Sequence, residues 1–202
     1  MSWYWFVFIL SLTVCVPIVV GFILFNDLDK AGRYFLFLLL AILFTELAGH
    51  FYRVYFGNNM IVFNVYTFVS SILIGHYIYN LNRETIVLYF FYGVALFSIG
   101  ESAFRGPNEL SHYSITILGI VTIGGLAYLI FQMAKAQVSA KHLIINAGLI
   151  FYFLSNFLYF FTASYLQQTA QIDYLLAMGI TKGLTNAICY GWYAIGIWKA
   201  FI

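Results

Sequence analysis

Four side chains able to do chemistry stand inside apolar stretches of this chain: Glu46, His50, Glu101 and Lys182. Hydrophobic residues make up 63% of the 202 positions and charged residues 8%, so most of the chain is membrane-spanning in character and each interior charge is an exception. Placing an ionisable group within a bilayer costs about 2.5–3.5 kcal/mol on insertion scales, and such groups usually face a bundle interior or a water-filled cavity. Function is therefore to be sought at these positions. A carboxylate, an imidazole and an ammonium together offer two kinds of chemistry: metal ligation and recognition of a charged ligand. Glu46 and His50 form E-x-x-x-H, with both side chains on one helical face. With Glu101 and His112 they make the candidate ligand set for a zinc ion that could activate water for lipid hydrolysis.

These residues must be positioned by helices. Apolar runs of about 20 residues suffice to cross a hydrocarbon core roughly 30 Å thick. Seven such runs are predicted: Trp3–Phe25, Arg33–Phe56, Met60–Tyr79, Thr85–Phe104, Leu110–Met133, His142–Tyr165 and Asp173–Ala200. The linkers between them carry Gly, Pro, Asn or charge, which end helices and prefer water. They are short, so successive helices should run antiparallel. The expected fold is all-α: one domain over residues 1–202, a polytopic bundle of seven transmembrane helices. Pro17 is expected to kink the first span. No Lys or Arg precedes that span, so it reads as a retained helix rather than a cleaved signal. Cys15 and Cys189 both fall in apolar runs and read as small core residues. The net charge of +2 gives no case for nucleic acid.

Basic residues set the expected orientation. Lys30, Arg33, Arg83, Lys135 and Lys141 fall in linkers one, three and five, and Lys199 at the C-terminus. Linkers two and four hold only Arg53 and Arg105. By the positive-inside rule the N-terminus lies outside and the C-terminus in the cytoplasm of a bacterial inner membrane. At 1.5 Å per residue, Glu46, His50, Asn64, Glu101, Asn156, Lys182 and Asn186 then converge in the outer half of the bundle. The first span adds no ionisable group and is expected to be peripheral.

That convergence predicts an outer-facing polar pocket binding a small molecule or a lipid, with a sensory or partner-regulating role. In it, Glu46 and Lys182 form the charge pair, and His50 and Glu101 line the wall. No output domain is fused, so a membrane or cytoplasmic signalling partner would carry the response. Catalytic residues and cofactors are left open. The alternatives are the metal-dependent lipid hydrolase, and a structural subunit of a membrane complex in which Glu46–Lys182 and Glu101–Arg105 are packing pairs.

Lys182 on the seventh span is similar to the retinal-binding lysine of microbial rhodopsins, but the third span has no carboxylate and the sixth has no W-x-x-Y-P. The seven-helix membrane hydrolases that cleave ceramide-like amides require three zinc histidines with an Asp and a Ser, a set absent from this pattern. The segments Glu46-Leu47-Ala48-Gly49-His50 and Asn64-Val65-Tyr66-Thr67 resemble uncharacterised small seven-helix bacterial membrane proteins. That resemblance implies a seven-helix integral membrane fold and brings no established activity.

Overall fold

Asp29 sets where the second span begins. Its Oδ1 accepts a hydrogen bond from the Gly32 N–H at 2.7 Å, which supplies one of the partners that the first turn of a helix lacks. The helix it opens, α3, runs over Lys30–Phe56 and closes at Gly57, whose φ of +71° glycine adopts without strain. The computed structural model describes residues 3–106, 109–110, 112–135, 140–168 and 172–202, with side chains except at 3, 4, 112, 140, 160, 161, 163–168 and 172–176. The first span is two helices, α1 (Trp3–Ser11) and α2 (Cys15–Ile23), joined by a 3-10 turn over Leu12–Val14. The expected disturbance by Pro17 takes this form: the proline has no N–H to offer the residue 13 carbonyl, so the chain tightens before it. The remaining helices are α4 (Met60–Asn82), α5 (Thr85–Arg105), α6 (His112–Ala134), α7 (Leu143–Gln168) and α8 (Ile172–Phe201).

Among the described residues, five segments are long and apolar enough to cross a membrane: Trp5–Ile23, Lys30–Phe56, Met60–Asn82, Thr85–Arg105 and Tyr113–Ala134. The polarity of the bundle is inverted relative to a water-soluble protein. Asn64, Thr67, Ser70, Ser71, Asn146 and Asn186 are buried, whereas Phe44, Leu96, Ile188 and, at 93% exposure, Phe104 face outward. That arrangement suits lipid, where backbone polar groups are satisfied within each helix and side-chain polar groups turn inward. The chain is an all-α, multi-pass integral membrane protein.

The packing order differs from the chain order. α3 packs on α4, α4 on α6, α6 on α7, α7 on α8, α8 on α1 and α2, and α1 and α2 on α3. Six spans thus close a ring, and α5 stands outside it against α4 and α6. The first span, expected to be peripheral, is a ring member, and the peripheral helix is α5. Tyr77, Tyr190 and Tyr193 are fully buried within the ring beside Phe35 and Leu39.

α5 approaches α4 closely because Gly75 has no side chain. A Cβ there would sit 2.7 Å from the Phe91 Cβ and 3.2 Å from its Cγ, atoms that cannot swing aside. Gly75→Ala should cost about 1–3 kcal/mol through overpacking, read as a lower unfolding temperature in detergent. Gly93→Ala, with open space around the site, should cost nothing.

The two ends of the bundle are held differently. At one end His142, 2% exposed, lies 3.0 Å through Nε2 from the Asp29 Oδ2, and Tyr77 and Phe201 pack edge-on against its ring. Asp29 lies between spans. Burial pushes its carboxyl up, but hydrogen bonds from His142 and Gly32 and the charges of His142 and Lys141 outweigh that and hold it below its ordinary value of 3.8. A carboxyl depressed by folding stabilises above its unfolded pKa, and that contribution is lost as pH falls through the folded value. The unfolding temperature should therefore drop below about pH 4, and Asp29→Asn, which can still cap α3, should flatten that drop. With Asp29 45% exposed, screening keeps the effect under about 1 kcal/mol.

Candidate functional site: a polar cavity at the Gly57 end

At the opposite end, α3, α4, α6, α7 and α8 surround an open-mouthed cavity of about 60 Å³. α3 contributes Ile42, Thr45 and Glu46, and α4 contributes Phe63, Tyr66 and Thr67. α6 adds Leu118 and Gly119, α7 adds Tyr152, Phe153, Asn156 and Phe157, and α8 adds Lys182. Most of the wall is apolar or aromatic, with a few polar groups converging on it, which is the usual composition of a small-molecule site.

Helical periodicity explains who faces inward. Ile42, Thr45 and Glu46 are spaced i, i+3, i+4 on α3; Phe63, Tyr66 and Thr67 repeat that spacing on α4; and Tyr152, Phe153, Asn156 and Phe157 make two such pairs on α7. The Thr45 and Thr67 hydroxyls donate back to the Ala41 and Phe63 carbonyls at 2.8 and 2.9 Å, so neither is left unsatisfied.

Of the seven residues expected to converge, three line this cavity: Glu46, Asn156 and Lys182. Asn186 supports it from behind. Its Oδ1 accepts from the Asn156 Nδ2 at 3.3 Å, and the same Nδ2 donates to the Tyr152 carbonyl at 2.8 Å. The Lys182 Nζ lies 4.7 Å from the Tyr159 ring centre and 5.8 Å from that of Phe63, within range of a cation–π attraction to the first and near the limit for the second. Glu46 and Lys182 share the wall, and no ion pair between them occurs among the described contacts. Glu46 makes no hydrogen bond or ion pair among the described residues, and it stands within electrostatic reach of Tyr66, Tyr152 and Tyr190.

The other three lie elsewhere. His50 is stacked on Phe8 at 4.1 Å and tilted against Trp5 at 4.8 Å, so it fastens α3 to the first span. Although positions 46 and 50 share a face, a helix turns 40° over four residues, and that is enough to send one side chain into the ring and the other to α1. Glu101 is 8% exposed. Its Oε2 accepts from the Ser114 N–H at 2.7 Å and the Ser114 hydroxyl at 2.6 Å; its Oε1 accepts from the Tyr113 N–H at 3.1 Å and the Arg105 Nε at 3.0 Å. It is a capping carboxylate for the free N–H groups that open α6, supplied by the neighbouring helix. Asn64 donates through Nδ2 to the Glu109 carbonyl at 2.8 Å and, at 3.4 Å, to the Ser102 hydroxyl, and so ties the α5–α6 linker to α4.

The proposed metal set is separated by these placements. Glu46 is in the cavity, His50 is against α1, Glu101 is spent on α6, and the His112 side chain lies outside the described residues. Among the described residues no three His, Cys, Asp or Glu side chains gather as a metal site would require.

Sequence reasoning missed the tyrosines. Tyr66 and Tyr152 line the cavity, and Tyr190, with no exposure at all, packs against the Tyr152 ring at 6.2 Å. The Tyr66 and Tyr190 hydroxyls are sealed from solvent with no hydrogen-bond partner in good geometry, and the Tyr152 hydroxyl is their neighbour. The available signal was Tyr152 one turn before Asn156 and Tyr190 one turn after Asn186, each sharing a face with a polar residue.

No protein-family model, no curated protein and no solved structure matches the chain. The site's own geometry is the ground for a functional reading.

Proposed function

We propose that this integral membrane protein binds a small molecule or a lipid in the cavity of Glu46 and Lys182, and that occupancy regulates a membrane or cytoplasmic signalling partner. The observation that carries the reading is the meeting of a carboxylate, an ammonium and an amide, from α3, α8 and α7, in one largely apolar cavity. Groups so expensive to place in a membrane are usually kept for a task. In the bacterial inner membrane, oriented with the N-terminus outside by its basic linkers, the chain would present this cavity at the outer face. The hydrolase reading is weaker, because Glu46, His50 and Glu101 point to different places. No feature favours the structural-subunit reading over lipid contact, since the outward apolar side chains serve either.

Lys182→Met keeps the apolar stem and removes the charge. In this reading the variant folds with an unfolding temperature within a few degrees of the parent, and loses the stabilisation that the bound molecule gives. Thermal unfolding with and without extracted membrane lipid measures both. Retained stabilisation in the folded variant would sink the role given to Lys182.

A further inference from the structure

We propose that the floor of the cavity is a binding site for the protonated amine of an amphiphile, an inference that rests on the ligand-binding reading and specifies its chemistry. Oxygen-bearing side chains gather there: Glu46, Tyr66 and Tyr152 line the cavity, and Tyr190 packs behind them against the Tyr152 ring. The carboxylate has no hydrogen-bond or ion-pair partner among the described residues, and the buried Tyr66 hydroxyl of the cavity wall has none in good geometry. Buried polar groups are as a rule satisfied, and those that are not call for an explanation. A molecule that satisfies these must bring donors and positive charge. An ammonium carries three donors and no acceptor, matching a carboxylate flanked by phenol oxygens. An anionic head would meet Glu46 at close range in a poorly screened site.

The surroundings fit the rest of such a molecule. The Phe63, Tyr66 and Tyr152 rings offer faces that attract a cation. Ile42, Leu118, Phe153 and Phe157 offer an apolar wall for an alkyl or aryl body. Lys182, held over Tyr159, adds a positive charge to the same wall and would take a phosphate or carboxylate carried on that body. Both a free amine and the headgroup of an aminophospholipid have this chemistry, so the shared feature is the ammonium.

The test uses the full chain in phosphatidylcholine nanodiscs at neutral pH, with 2-phenylethylamine, 2-phenylethanol and phenylacetate as soluble probes of like shape and different charge. The expected result is a saturable rise in unfolding temperature with the amine, and an affinity at least about tenfold weaker for the alcohol, as the loss of charge-assisted hydrogen bonds implies. Glu46→Gln should weaken amine binding at least about tenfold and leave the alcohol unchanged. Tyr66→Phe, which keeps the carboxylate and alters a residue of the cavity wall, should weaken it several-fold. Weaker binding when phosphatidylethanolamine replaces phosphatidylcholine would mark the headgroup as the source; unchanged binding would mark a free amine; either supports the ammonium site. Equal affinity for amine and alcohol, or amine binding unaltered in Glu46→Gln, would overturn the assignment. Binding of phenylacetate alone would overturn it while leaving the cavity a ligand site. Silence from every probe and both lipids would overturn the ligand-binding reading itself.

Discussion

Glu101→Ala should lower stability by about 3–5 kcal/mol, the cost typical of removing one member of a buried charged pair. The carboxylate serves the Tyr113 and Ser114 N–H groups, the Ser114 hydroxyl and Arg105. Its removal leaves the N-terminus of α6 without a cap and Arg105 without its counter-charge. Glu101→Gln retains an acceptor and should cost roughly half as much, because only the charge-assisted part of each bond is lost. Hydrogen exchange read by mass spectrometry should show the first turn of α6 opening before the rest of the bundle. Both variants that fold should keep the cavity's ligand, since Glu101 does not line it. Loss of ligand at full stability in Glu101→Gln would return this residue to the binding site.

Glu46→Leu should do the reverse: raise the stability of the empty protein by about 1–3 kcal/mol and abolish binding. An ionisable side chain without a hydrogen-bond or ion-pair partner among the described residues is a cost borne inside the bundle, comparable to the insertion penalty of about 2.5–3.5 kcal/mol. Leucine removes that cost and fills part of the cavity, beside Ile42 and Leu118. A gain in stability joined to a loss of function is the mark of a residue kept for its chemistry. Unfolding in detergent after exhaustive delipidation measures the first effect and ligand titration the second. A variant less stable than the parent would make Glu46 a packing residue, and its place among the ligand contacts would fall.

An all-α fold and its helical segments, five of them among the described residues long and apolar enough to cross a membrane, were legible because the chain alternates long apolar runs with short polar linkers, and the bilayer fixes the length of the runs. The ring and the displacement of α5 were not, because they depend on surface fit: Gly75 admits Phe91, and nothing in the spacing of either residue announces the match. Depth along a helix was readable at 1.5 Å per residue; Glu46, Asn156 and Lys182 share one cavity wall, with Asn186 bonded to Asn156 behind it. Direction around the helix was not readable for single polar residues. His50 turned to Trp5 and Phe8, Asn64 to the Glu109 carbonyl and Glu101 to α6, each because a closer partner on a neighbouring helix satisfied it. The bond of His142 to Asp29 was not readable either, because it joins residues far apart in the chain that only the packing brings together. The tyrosines escaped notice because 17 of them are spread through the sequence, and only packing separates Tyr66 and Tyr190 from those on the lipid face.

The claim that the cavity is a ligand site is tested most directly by native mass spectrometry of the full chain released from mild detergent. The account predicts a mass excess equal to one small organic molecule or one lipid, present on the parent chain and absent from Lys182→Met and Glu46→Leu. A bare parent mass, or an adduct that survives in both variants, would contradict it.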